Sequence, residues 1–145
     1  MARQRVSKRI NPLDLQKNTA IGIPFPLGGV PIFSSTYTTE EQALSNLKNL
    51  LLTRKGERPF QPLFGTDIPS MLFENIEIPL LRRLEAGLEE DIKFWLPYIN
   101  IKDISVTEEA DLNRMNVSLT FSVGESGANQ IIILNVDEQA GVSIA

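Results

Sequence analysis

Leu51-Leu52-Thr53-Arg54-Lys55-Gly56-Glu57-Arg58-Pro59-Phe60-Gln61-Pro62-Leu63-Phe64-Gly65-Thr66-Asp67 reads as the place where a helix stops. Arg54 and Lys55 put positive charge on its last turn, where the helix dipole favours it. Gly56 can take the left-handed conformation that ends a helix without a Cβ penalty. Pro59 and Pro62 cannot continue the helix, and Phe60, Leu63 and Phe64 give the following turn something to bury.

Upstream of this stop, Leu44, Leu47, Leu50 and Leu51 recur at helical spacing with Asn46, Lys48 and Asn49 between them. Thr38 with Glu41 fits a capping box, as does Thr39 with Gln42, and Glu40 and Glu41 suit the positive end of the helix. Before the helix lies Ile21-Gly22-Ile23-Pro24-Phe25-Pro26-Leu27-Gly28-Gly29-Val30-Pro31-Ile32-Phe33, too rich in Pro and Gly for a helix or a central strand. It is also too apolar for an idle linker. A strap over the protein's own core and an arm on a neighbouring subunit both fit it. Asn11-Pro12-Leu13-Asp14 reads as a turn, and Arg3, Arg5, Lys8 and Arg9 make a basic start without an acid.

Downstream, Asp67 can cap a short helical turn that holds Pro69, with Met71, Leu72 and Phe73 as its buried side. Pro79 suits the first turn of a second helix that runs to about Trp95, with Leu81, Leu84, Leu88, Ile92 and Trp95 as its apolar stripe. Gly87 on this helix suggests close packing against another backbone, and Pro97 ends it. The remainder is β. Ile99 and Ile101 alternate in one phase and Ile104 and Val106 in the other, which places a bulge near Lys102-Asp103. Met115, Val117, Leu119, Phe121 and Val123 alternate strictly with polar residues. Gln130–Val136 follows a Gly124-Glu125-Ser126-Gly127 turn, and Ile131, Ile132, Ile133 and Leu134 make it apolar on both faces, so it calls for cover on both sides. The expected fold class is α+β: two main helices packed on a small antiparallel three-stranded meander, with an extended N-terminal arm. The boundaries that follow are an arm over 1–38, a core over 39–137 and a short tail over 138–145.

Composition narrows the chemistry. The 145 residues carry 42% hydrophobic and 22% charged side chains, ordinary values for one globular domain. A net charge of −4 argues against nucleic acid as the main partner. Cys and His are both absent, which removes disulfides, thiolate chemistry, the commonest general base and the commonest metal ligand. No cofactor is expected. No apolar run reaches the ~18 residues of a membrane span, and the basic start leads into no signal-peptide core, so a cytosolic setting without a membrane partner is expected. Glycoside hydrolysis would need two carboxylates facing across a cleft. Glu57, Asp67 and Glu74 are candidates, but Glu57 stands among Arg54, Lys55 and Arg58, a setting unlike the apolar pocket that suits a general acid. Arg54 and Arg58 instead present planar donors suited to carboxylates on a partner or on the same chain.

The run from Thr53 to Gly65 also resembles the T-R-K-G-E-R-P-F-x-P-x-F-G signature of the lysozyme-like baseplate wedge family of contractile phage tails, which has relatives in type VI secretion baseplates. The resemblance covers about residues 20–136. It implies a structural, non-enzymatic wedge component in the virion tail baseplate, assembled in the host cytoplasm. Its implied partners are other baseplate wedge proteins, the tail sheath protein and a central hub or spike protein. The implied contacts are Arg54, Lys55, Gly56, Glu57 and Arg58, the corner at Pro97, and strand addition along Ile131, Ile132, Ile133 and Leu134 that templates the first sheath ring. One departure stands out: members of the resembling family commonly end the second helix with Glu-Pro-Arg, whereas this chain has Leu96-Pro97-Tyr98, in which only the proline matches. The rival classes are a phage-associated glycosidase acting on peptidoglycan and a basic-arm nucleic-acid-binding module.

Overall fold

The first helix, α1, spans Thr39–Leu52 in the computed structural model. That model describes residues 12–16, 18–25, 27, 34–73, 78–109, 114–124, 127–137 and 141–144. The basic residues Arg3, Arg5, Lys8 and Arg9, the Gly28–Phe33 part of the arm, and Glu74 lie outside the described residues. Of the two capping boxes in the sequence, the one that forms is Thr38 with Glu41. Thr38 Oγ1 accepts from the Glu41 N–H at 3.2 Å, and Glu41 Oε2 accepts from the N–H groups of Thr38 and Tyr37 at 3.3 and 3.0 Å. Thr39 and Gln42 serve the arm instead. Thr39 donates its N–H and hydroxyl to Asp14 Oδ1, at 2.9 and 2.8 Å, and Gln42 Oε1 accepts from the Thr36 hydroxyl at 2.6 Å.

The helix stops earlier than the charge pattern suggests. Thr53 is already extended, and its hydroxyl donates to the Asn49 carbonyl at 2.6 Å, satisfying one of the acceptors a helix end leaves open. Arg54 and Lys55 therefore lie beyond the last turn, and Gly56 does not close the helix.

The second helix, α2, spans Ile78–Trp95 with Pro79 in its first turn. Leu84, Leu88 and Ile92 are buried, and Leu81 and Trp95 pack half-buried at the rim of the core. Gly87 does not touch another backbone: a Cβ added there would meet nothing within 4 Å. Its face looks onto a groove.

Four antiparallel strands follow in the order β1-β2-β3-β4: β1 Ile99–Glu109, β2 Arg114–Val123, β3 Asn129–Asp137 and β4 Gly141–Ile144. The expected bulge is present as a register shift between Ile101 and Asp103. The expected three-stranded meander gains a fourth strand, because Gly141–Ile144 turns back and pairs with Leu134–Asp137 of β3. Val142 and Ile144 then rest on the core. Val117, Leu119, Phe121, Leu134 and Val136 of the sheet join Leu47, Leu50, Leu51, Leu84, Leu88 and Ile92 of the helices in one core, so both helices cover the same face.

The other face is open, against the expectation that β3 is covered on both sides. Ile132, Leu134 and Val136 point into the core, but Ile131 and Ile133 are 65% and 42% exposed. Their partners across β2 are Thr120 and Ser118, so this face of the sheet is polar around them. The apolar run reflects the fit of β-branched side chains to a pleated surface rather than double burial.

Candidate functional site

Residues 54–66 form a loop closed at its neck. Thr66 is fully buried; its N–H donates to the Thr53 carbonyl at 2.9 Å and its hydroxyl to the Leu51 carbonyl at 3.0 Å. Gly65 makes this neck possible. Its φ is +121°, and a Cβ there would stand 2.4 Å from the Thr53 carbonyl oxygen. Inside the loop, short turns stack. Glu57 N–H donates to the Arg54 carbonyl at 3.1 Å, so Gly56, at φ +88°, supplies the positive φ that a type II turn needs at its third residue. Gly56 N–H in turn donates to the Pro62 carbonyl at 2.7 Å, and Glu57 Oε2 accepts from the Arg54 N–H at 3.0 Å.

These turns aim two large side chains outward. Phe60 is 99% exposed and Leu63 73%, so neither is buried by the turn as the sequence suggests. Phe64 alone folds inward. It meets Trp95 edge-on at 5.2 Å between ring centroids and lies 3.9 Å below the Arg58 guanidinium. Trp95 meets exposed Phe94 edge-on at 5.0 Å.

The loop's charges are divided between the fold and the surface. Arg58 donates to Asn49 Oδ1 at 3.1 Å, which together with Phe64 commits it to its own chain. Lys55 Nζ lies 2.7 Å from Asp91 Oδ2 and 3.4 Å from Asp67 Oδ2, so it ties the loop to α2. Burial alone would lower the Lys55 pKa, but the hydrogen bond and charge of Asp91, with Asp67 behind it, outweigh that and raise it. Burial pushes the Asp91 carboxyl up from the usual aspartate range, and the Lys55 hydrogen bond and charge pull it back only in part. The lysine is thus held charged, while the cost of desolvation falls on Asp91.

Between this loop, the 3-10 turn Ile68–Phe73 and α2 runs a groove of about 340 Å³. Its lining is mostly polar, with Arg54 and Arg83 among the lining residues; Leu80 and the edges of buried Met71, Leu84 and Leu88 add a smaller apolar share, and Gly87 leaves space beside α2. Asp67 and Asp91 also border it, both held by Lys55. Among the carboxylates raised for hydrolysis, Glu57 is turned onto its own backbone and Glu74 lies outside the described residues; Asp67 acquires a partner, Asp91, that the sequence did not single out.

The corner after α2 is absorbed by the fold on both sides of Pro97, which is itself exposed. Leu96 belongs to the core, and the Tyr98 hydroxyl accepts from Asn46 Nδ2 at 2.9 Å. Asn46 Oδ1 accepts from Gln42 Nε2 at 2.8 Å, and Gln42 meets Thr36, so four side chains connect the arm, α1 and this corner. Thr36 also pairs with Gly22, and the Ser45 hydroxyl donates to the Ile23 carbonyl at 3.0 Å, which lays the described part of the arm on α1. In β3, Leu134 is paired on both sides, by Val117 of β2 and Ile144 of β4; Ile132 offers a partner only its backbone, whereas Ile131 and Ile133 also present side chains. No helix among the described residues is long and apolar enough to cross a membrane.

Residues 38–127 match the family described as baseplate wedge protein gp25. Over 84 residues, 55% of the chain, the sequence is 36% identical to the baseplate wedge protein gp25 of Enterobacteria phage T4, and the match spans 64% of that relative, less than two thirds of its length. Among solved structures, the fold is similar to that of a Geobacter sulfurreducens protein provisionally named a tail lysozyme. The TM-score is 0.62 at 22% identity, over 72% of this chain and 95% of that one. A chain of the anti-feeding prophage baseplate gives a TM-score of 0.59 at 24% identity, over 72% and 85% of the two chains. A chain of the type VI secretion system baseplate complex gives 0.54 at 17%, over 65% and 88%. At these identities the structural likenesses speak for the fold alone.

Proposed function

The chain belongs to the baseplate wedge protein gp25 family, and from that premise we propose that it is a structural subunit of a contractile-tail baseplate, joining wedge subunits and templating the first sheath ring by strand addition. The observation that carries the reading is the open length of β3. Residues 129–133 pair with β2 on one side, while β4 pairs only with Leu134–Asp137 on the other. Among the described residues no strand continues β4 along that edge. The open stretch holds no Pro and no charge, so its backbone groups are ready to receive a strand. The fourth strand confines this edge to about half of β3 and brings a natural stop for an incoming strand at Leu134. The partners in this reading are other wedge proteins, the tail sheath protein and a central hub or spike protein, and the place is the tail baseplate, reached by assembly in the host cytoplasm.

Pro substitutions at Ile132 and, separately, at Ile133 test it in particles assembled with the protein's own baseplate and sheath. Neighbouring residues send their N–H groups to opposite sides of a strand, so only one substitution removes a donor that β2 does not use. That variant should fold and enter the baseplate but fail to nucleate sheath. If both unfold the protein, or neither changes sheath growth, the open edge is not the template.

Cell-wall hydrolysis is the second reading, because the groove brings Asp67 and Asp91 together and burial raises Asp91, the direction a general acid needs. Both carboxylates, however, are held by the same ammonium, which leaves neither free to act on a glycoside. Purified protein should leave a peptidoglycan suspension turbid. Clearing that disappears in Asp91→Asn would establish the enzyme.

A further inference from the structure

We propose that the groove between the signature loop and α2 is a docking site for a carboxylate-bearing segment of a neighbouring protein, with Arg54 and Arg83 as its paired donors. Both guanidinium groups border the groove, and among the described residues neither has a carboxylate within ion-pair distance. The groove's own acids face Lys55 instead, Asp91 at 2.7 Å and Asp67 at 3.4 Å. An Asp or Glu side chain of a partner matches this arrangement, since the planar guanidinium recognises a carboxylate through two parallel hydrogen bonds.

Two further features favour a polypeptide over a polyanion such as nucleic acid. The lining is mostly polar but includes Leu80 and the edges of buried Met71, Leu84 and Leu88, a small apolar share that accommodates the aliphatic stem of an acidic side chain. The two aspartates at the rim would repel a continuous row of phosphates but tolerate a single carboxylate. Gly87 adds access: nothing occupies the space within 4 Å of where its Cβ would be, so a partner side chain or backbone can reach the surface of α2. The Lys55–Asp91 ion pair holds the loop and helix walls at a fixed separation before any partner arrives.

The inference rests on the baseplate reading only in placing the chain among protein neighbours. Because the chain has no Cys, Gly87→Cys supplies a single thiol on the groove floor. Maleimide should label it readily in the isolated protein and roughly tenfold or more slowly in the assembled particle, where a segment that occupies the groove about nine-tenths of the time covers the thiol. Arg54→Glu and Arg83→Glu should melt like the parent yet compete roughly tenfold or more poorly for entry into the particle. Arg83→Gln, which keeps the size without the charge, covers the case in which a reversed charge disturbs folding. A chain that enters the particle while position 87 stays open to maleimide, or while all three arginine variants compete normally, overturns the docking site and leaves the baseplate reading standing. A chain absent from the particle overturns both.

Discussion

Replacing Gly65 by Ala should damage the fold far more than the same change at Gly56, although both glycines have positive φ in the same loop. At Gly56 the backbone sits at φ +88° with nothing within 4 Å of an added Cβ, so only the left-handed conformation is penalised, at about 1 kcal/mol. At Gly65, φ is +121°, a region L-residues hardly enter, and that strain alone costs about 1–3 kcal/mol. The added Cβ would also sit 2.4 Å from the Thr53 carbonyl oxygen and 2.9 Å from the Arg54 carbonyl carbon. Relief requires opening the neck, which breaks the Thr66-to-Thr53 hydrogen bond and loosens the buried Thr66 hydroxyl; each is a loss of about 1 kcal/mol. The total is about 3–5 kcal/mol for Gly65→Ala. For a chain of this size that corresponds to a fall in Tm of roughly 10–17 °C, against about 3–4 °C for Gly56→Ala. Thermal melts of the two variants and the parent, followed by circular dichroism in one buffer, decide it. A Gly65→Ala variant within about 1 kcal/mol of Gly56→Ala would refute the closed neck.

Two other expectations concern the ion pair and the sheet. Lys55→Met should destabilise the protein at neutral pH, and the deficit should shrink toward either extreme. The folded pKa of Lys55 is raised above its ordinary 10.5, so its stabilisation is complete below that value and is lost as pH rises through the folded pKa. Asp91 is raised from 3.8, so its ionised form costs stability above its folded pKa, and losing Lys55 raises it further until acid protonates it. Differences in Tm between variant and parent across the pH range read both limbs; a constant difference would show that the pair contributes nothing electrostatic. In the sheet, Ile132→Ala should cost about 2–5 kcal/mol as a buried truncation, whereas Ile131→Thr and Ile133→Thr should stay within about 0.5 kcal/mol. Equal costs in urea titrations would mean that the outer face is covered.

What could be read from the sequence is local. The Thr38–Glu41 box, the Leu84–Leu88–Ile92 stripe and the phase slip after Ile101 each depend on residues a few positions apart and appear as expected, and the alternation of β2 holds from Met115 to Phe121, ending where Ser122 is buried and Val123 is half-buried. What escaped depends on residues far apart or on very short elements. Lys55 and Asp91 meet only because the loop neck folds back onto α2, and no spacing announces it. β4 has two apolar residues in four, too little pattern to distinguish from a tail. Gly56 and Pro59 read as stop signals for a helix, yet they belong to turns stacked beyond it, and that is why Phe60 and Leu63 face solvent. The relay through Gln42 and Asn46 had one visible trace, two amides four residues apart on α1, but their outer partners Thr36 and Tyr98 could not be inferred from that.

That relay has a consequence for how the chain can diverge. Tyr98 stands at the corner after α2, half-exposed, and its hydroxyl accepts from Asn46. Positions 46 and 98 are therefore coupled through one hydrogen bond. A drift to Leu at 46 hands the exposed tyrosine hydroxyl to water and releases Gln42 from one of its two contacts. The corner's chemistry and the seating of the N-terminal arm then change together, through four side chains, rather than one residue at a time.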